Sequence, residues 1–266
     1  MPEHRARFQE LHAEDRLFLM PNPWDVGSAL LLQALGFEAL ATTSAGFAWS
    51  IGKPDQQVTR DELAAHVASL TAAISVPLNV DSERLYPDDP GGVAETVHLL
   101  GDAGASGCSI EDYDPAADGM DPVEVAAARV AEAAEAANGL GIVLTGRAEN
   151  HIRGVDDLDD TIARLVAYRD AGADVVYAPG LADIESISRV VEEVGVPVNV
   201  LALPSGPAVA ELGAAGVRRV STGGALARSA YGALLAGAAE LRDAGTSNYG
   251  RDGAPSEALR AALGGG

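Results

Sequence analysis

One arrangement recurs eight times along the chain and restricts its fold more than anything else: a short apolar run, then an alanine-rich stretch with helical spacing. The runs fall at 17–20, 38–42, 77–81, 107–111, 142–147, 174–178, 197–201 and 217–221. The stretches after them cover 26–35, 60–73, 91–103, 122–137, 156–171, 183–194, 207–215 and 224–243. The runs read as continuously apolar, the pattern of strands covered on both faces. LGFEAL, AGASGCSI, AGADVVYA and AGVRRVS place Gly36, Gly104, Gly172 and Gly216 where a helix ends and a strand begins. Glycine there takes the left-handed conformation that stops a helix.

Eight such units in 266 residues predict an α/β fold, a (β/α)8 TIM-type barrel. An open doubly wound sheet is the competitor. PNPWDVGSAL, after the first run, lacks the G-x-G-x-x-G turn such a sheet uses for dinucleotides. The barrel is read as one domain over 1–244, with a turn-rich tail over 245–266. SEALRAAL (256–263) reads as a short helix in that tail and the last three glycines as an unstructured end.

A barrel of this type carries its site at the carboxyl ends of its strands. PLNVDSERLYP (77–87) puts Asp81 and Glu83 there. Two residues apart on a strand, they share a face at about 7 Å. Acids so placed repel unless a cation lies between them, and a hard divalent ion suits oxygen ligands. Other strand ends offer Thr42, Thr43 and Ser44, a loop closing on Lys53-Pro54-Asp55, the pair Glu111-Asp112, and Arg147 with Glu149 and Asn150. Tyr177 and Ser221-Thr222 end later runs. Acids beside one arginine suit a metal plus a small anion, which the guanidinium fork grips at two points. The alternatives are structural: Glu111-Asp112 and Arg147 as an ion cluster, and Asp55 as a cap for the helix near Thr59. Cys108 reads as a core thiol, and Trp24 and Trp49 as packing residues or pocket walls. His12, His66, His98 and His151 read as surface or helix positions.

With 39 acidic and 18 basic residues the formal charge is −21, which argues against nucleic acid and anionic membrane as partners. An anionic substrate needs a local cation. The single cysteine excludes an intrachain disulfide framework. No apolar run approaches the ~20 residues of a membrane span, and MPEHRARFQE has no signal-type apolar region. A cytoplasmic enzyme is expected.

Taken in order, PNPWDVGSALLLQALGFEALATTSAG (21–46), IGKPD (51–55), VDSE (80–83), AGASGCSIED (103–112) and TGRAEN (145–150) resemble the isocitrate lyase/phosphoenolpyruvate mutase superfamily. The resemblance implies a homotetramer exchanging its last barrel helix between subunits. It implies Mg2+, with Mn2+ as a substitute, held directly or through water by Asp81, Glu83 and Glu111, with Asp55 as an outer ligand or base. Relatives commonly have aspartate where this chain has Glu83. The resemblance makes Arg147 the grip on the substrate's acidic group, assisted by Glu149 and Asp81, and places Thr43 and Ser44 in the loop that holds the 2-oxo acid carboxylate. Asp55, Glu111 and Arg147 are then the catalytic set.

The implied activity is that of a lyase cleaving a C–C bond of a small 2-oxo or 2-hydroxy dicarboxylate through a metal-stabilised enolate. The alternatives are P–C chemistry, as a phosphonopyruvate hydrolase or phosphoenolpyruvate mutase, and a barrel that binds 2-oxo acids with little turnover. Isocitrate and methylisocitrate lyases carry an acidic thiol in a mobile loop. Here that loop, Tyr113 to Met120, has neither cysteine nor lysine, so neither activity proper is expected. Arg84 and Leu85 replace a glycine-rich turn and are expected to narrow the pocket.

Overall fold

The computed structural model describes residues 2–264; of the terminal glycines, Gly265 and Gly266 lie outside the described residues. The chain runs β1 (Phe18–Met20), β2 (Leu40–Ala41), β3 (Leu78–Val80), β4 (Gly107–Glu111), β5 (Tyr113–Asp114), β6 (Gly119–Met120), β7 (Val143–Arg147), β8 (Val175–Tyr177), β9 (Val198–Leu201) and β10 (Arg219–Ser221). Helices α1 (Pro2–Ala13), α2 (Val26–Ala34), α3 (Ser44–Ser50), α4 (Arg60–Ala73) and α5 (Gly92–Asp102) precede β4. After it come α6 (Val123–Leu140), α7 (Leu158–Asp170), α8 (Ile184–Val194), α9 (Val209–Ala214), α10 (Ala225–Ala244) and α11 (Ser256–Leu263).

Eight strands form one parallel sheet in the order β1-β10-β9-β8-β7-β4-β3-β2. The ends meet where Ala41 N–H donates to Pro21 O at 3.1 Å. Asn22 reinforces the seam, donating to Thr42 O at 2.6 Å and accepting from Thr222 N–H at 2.8 Å. The result is a nearly closed (β/α)8 barrel. Gly36, Gly104, Gly172 and Gly216 all have positive φ, the conformation expected of helix-stopping glycines.

Alternate strand residues do different work. Leu78, Val80, Cys108, Ile110, Leu144, Val176, Val198 and Val220 are buried in the apolar layer with Val67, Leu70, Val97, Val130, Leu165 and Val190 of the helices. Their neighbours line the barrel's interior, and many are polar: Asn79, Ser109, Thr145, Tyr177, Asn199, Arg219 and Ser221. The runs are thus less uniform than they read, with an apolar outer and a polar inner set. Helix α1 closes the amino-terminal end, where Phe8 and Leu11 join Phe18, Met20, Val143 and Val175 in a separate apolar cluster. A Cβ on Gly107 would stand 2.5 Å from Phe8 Cε1 and 3.0 Å from Val143 O, so only glycine lets the plug seat.

Two segments depart from the expectations. TSAGFAWS, read as a loop, holds α3, which Thr43 caps by accepting from Gly46 N–H at 3.3 Å. The loop 113–120, expected to be mobile, is a β5–β6 hairpin. The tail turns through Asn248–Asp252 and packs α11 against α2.

Candidate active site

The strand ends open into a cavity of about 480 Å³ lined by Thr43, Ser44, Asp55, Asp81, Arg147 and Tyr177 among others. Trp49 and Arg228 stand on its wall as well. Asp81 is set by three contacts. Its N–H donates to Thr42 Oγ1 at 2.8 Å, its Oδ2 accepts from Ser44 N–H at 2.9 Å, and its Oδ1 accepts from Arg147 Nη1 at 3.1 Å.

Arg147 is the hub. Nη1 also lies 3.2 Å from Glu111 Oε2, and Nε donates to Glu149 Oε1 at 2.5 Å. Its guanidinium carbon sits 5.5 Å from the centre of the Tyr177 ring. Against the cost of burial, Glu149, Glu111 and Asp81 hold Arg147 well above its usual pKa. Nη2 makes no hydrogen bond among the described residues, which leaves that arm of the fork to the cavity.

One guanidinium cannot neutralise this many acids. Burial first, then Glu149, Asp81 and Glu83, push the Glu111 carboxyl well up although Arg147 opposes them. Burial, then Asp81 and Asp55, push Glu83 up to about 8. Asp55 is raised by desolvation against the wall and then by Asp81, although it stays open to solvent at the mouth. Gln56 N–H, at 2.9 Å, donates from its side chain to Glu111 Oε1 and was not anticipated.

Several sequence expectations need correction. Glu83 does not share a strand face with Asp81. The strand ends at Val80, and Glu83 lies in a turn with φ 49°. Arg84 and Leu85 do not narrow the pocket. Leu85 is fully buried, and Arg84 pairs with Asp114 at 2.8 Å and Asp121 at 3.2 Å, pinning the hairpin. Tyr113 O–H donates to Asp118 at 2.8 Å, and Arg153 stacks on its ring at 3.3 Å. Asp112 belongs to a different cluster from Glu111, accepting from Tyr168 O–H at 2.6 Å and Arg164 Nη1 at 3.0 Å. Glu149 is fully buried and off the cavity wall. It orients Arg147 rather than meeting a ligand. Ser44 lines the cavity, but its N–H is already given to Asp81.

Among the described residues, no group of three or more His, Cys, Asp or Glu side chains is placed to hold a metal ion directly. The resemblance has Asp81, Glu83 and Glu111 hold the ion directly or through water, and in this structure the three are not grouped closely enough for all of them to hold it directly. Arg147 stands between two of them, and the turn carries the third aside. The donor set still fits a hydrated cation. After burial, the neighbouring Asp81 charge raises the proton affinity of Asp55, Glu83 and Glu111, the sign of excess negative charge. Mg2+ gives up its waters reluctantly and needs only one or two direct carboxylates.

The family described as phosphoenolpyruvate phosphomutase matches residues 8–242. An uncharacterized protein of Mycobacterium tuberculosis is 37% identical over 218 residues, 81% of each chain. The oxaloacetate decarboxylase of Paraburkholderia xenovorans is 31% identical over 75% of this chain and 69% of its own. A crystal structure from Burkholderia cenocepacia J2315, provisionally described as a lyase or mutase, superposes with a TM-score of 0.92 at 48% identity, covering 97% of this chain and 95% of that one.

Proposed function

The chain belongs to the phosphoenolpyruvate phosphomutase family, and on that premise we propose that it is a Mg2+-dependent lyase cleaving a C–C bond of a small 2-oxo or 2-hydroxy dicarboxylate. The observation that carries the reading is Arg147, held by three acids with one arm open to a cavity that Asp55 and Asp81 also line. That arm suits a substrate carboxylate. The relative named oxaloacetate decarboxylase favours C–C over P–C chemistry.

Asp81 is the acid best placed to hold the cation, with Asp55, Glu83 and Glu111 reaching it through water. When bound, the cation would offset the negative charge gathering on the 2-oxo acid as its bond breaks. The residues themselves do three things. Arg147 fixes the carboxylate, Glu149 and Glu111 fix Arg147, and Asp55 at the mouth is the free carboxylate able to move a proton. The hairpin supplies no acid for a departing carbanion, since Tyr113 gives its proton to Asp118. Isocitrate and methylisocitrate are accordingly poor substrates.

The test is a panel of 2-oxo acids, 2-hydroxy dicarboxylates and phosphonopyruvate with Mg2+ and then with EDTA. Release of pyruvate or glyoxylate that EDTA abolishes supports the lyase. Phosphate release from phosphonopyruvate would replace it with P–C chemistry. Thermal stabilisation without turnover would replace it with a binding protein.

A further inference from the structure

Below the acids the cavity has a floor, and the floor carries a charge that no acidic group among the described residues neutralises. Arg219 of β10 is 1% exposed and lines the cavity. Its partners are all neutral. Nε donates to Asn199 Oδ1 at 2.9 Å, Nη2 to Thr145 Oγ1 at 2.9 Å, and Nη1 to His12 Nε2 at 3.1 Å. His12 gives its Nδ1 proton to Phe8 O at 2.7 Å, so Nε2 is the accepting nitrogen. No carboxylate among the described residues pairs with Arg219. Burial lowers its pKa to about 9, which leaves it charged at neutral pH.

A lone buried cation costs several kcal/mol, and buried charges are ordinarily paired. A neutral side chain would brace β10 against β7 and α1 without that cost. Of the five N–H donors of a guanidinium, three are used and two remain. The Thr145 hydroxyl accepts from Arg219 and keeps its own proton to donate. Asn79, 4% exposed, lines the same cavity, and its side-chain amide nitrogen, the group able to donate to an anion, makes no hydrogen bond among the described residues. Thr145 lies two residues before Arg147 on β7, which sets the floor about 7 Å below the Arg147 level along the strand.

We propose that the cavity floor is a second anion subsite, in which Arg219 with Thr145 and Asn79 takes the distal carboxylate of a dicarboxylate whose 2-oxo acid end is held above by Arg147. The upper half rests on the lyase reading; the floor does not. The spacing selects a chain of about five or six carbons, from extended bond geometry. The floor charge also supplies the local cation that a chain of net charge −21 needs to draw in a dianion.

The test is calorimetric binding to the full chain with Mg2+, comparing 2-oxoglutarate and 2-oxoadipate with 2-oxobutyrate and 2-oxopentanoate. The wild type is expected to bind the diacids at least about tenfold more tightly, the value of one charge-assisted contact. Arg219→Met should erase that ratio and keep monoacid affinity, and Arg219→Lys should restore part of it. Should Arg219→Met not fold, Thr145→Val takes its place and should reduce the ratio several-fold. Monoacids and diacids bound equally by the wild type, or a ratio that survives in the variants, overturns the subsite and leaves the lyase reading standing. If no 2-oxo acid binds, the lyase reading falls and glutarate and adipate probe the floor alone. Thermal stabilisation by them that Arg219→Met lacks supports the subsite, and none overturns it.

Discussion

Replacing His12 by Gln should remove a defined part of the acid sensitivity of this fold. His12 is half-buried beneath the barrel, with Nδ1–H given to Phe8 O and Nε2 accepting from Arg219. Burial first, and then the Arg219 charge, hold its pKa at about 3 against an ordinary 6.5. Between those values the unfolded chain binds the proton and the folded chain does not, so stability rises with pH across the window and is lost as pH falls. The full span, about 3.5 units, is worth about 5 kcal/mol if reached. At pH 5 the unfolded histidine is about 1.5 units below its pKa, which takes about 2 kcal/mol from the wild type relative to neutral pH. Glutamine keeps an acceptor for Arg219 and a donor for Phe8 O but does not titrate. Urea unfolding of both proteins at pH 7.5 and pH 5 reads the effect. The wild type should lose about 2 kcal/mol more than His12→Gln over that interval. Parallel losses in the two proteins would refute the placement of a neutral histidine against Arg219.

Asp81→Asn keeps the shape and one of the two acceptors that Ser44 N–H and Arg147 use, and removes the charge facing the other acids. It should abolish Mg2+ binding by calorimetry while leaving the fold, and unchanged affinity would remove Asp81 from the metal site. Arg147→Lys loses the fork and should lower kcat/KM about tenfold or more, a loss of roughly 1.5–3 kcal/mol. A lower melting temperature with intact kinetics would make Arg147 a structural counterion only. Helix α10 exposes Leu234 at 64% and Leu235 at 70%, which suits the helix exchange that the resemblance implies. Light scattering should therefore show a tetramer that a Leu234→Glu, Leu235→Glu double variant breaks down, and a monomeric wild type would end that idea. Cys108→Ser should leave turnover unchanged, because the thiol is fully buried in the outer apolar layer, with a pKa pushed up to about 12 by burial.

The barrel was legible because its punctuation is local. Gly36, Gly104, Gly172 and Gly216 mark helix ends by a backbone need that one residue can declare. Helix α4 announces its start through Thr59 and Glu62, which bond reciprocally. What escaped reading was structure built from non-local partners. SAGFAWS is poor in strong helix formers, and α3 forms because Thr43 caps it and Phe47 and Ala48 are buried. The hairpin after β4 depends on Arg84, about thirty residues earlier, pairing with Asp114 and Asp121. Nothing within Tyr113 to Met120 foretells that clamp.

The site divides along the same line. Asp81, Glu111 and Arg147 were visible as charged residues ending apolar runs, because a charge there must lie at the mouth or find a partner. Their division of labour was not visible. The resemblance had Glu149 assist at the ligand, yet its full burial makes it the residue that aims Arg147. Spacing put Glu83 beside Asp81, yet a residue with φ 49° cannot continue a strand, and the acid reaches its neighbours by a turn. Arg219 left the clearest signal of all, a charge at the start of β10 and inside the run VRRVS. A run read as uniformly apolar conceals such a residue, whereas the alternation of inner and outer faces exposes it. Position 219 points inward with Asn199 and Thr145, while Val220 faces the helices. A strand that spends an arginine on the inside of a barrel, against neutral partners only among the described residues, carries the burial cost that motivates the proposed anion subsite.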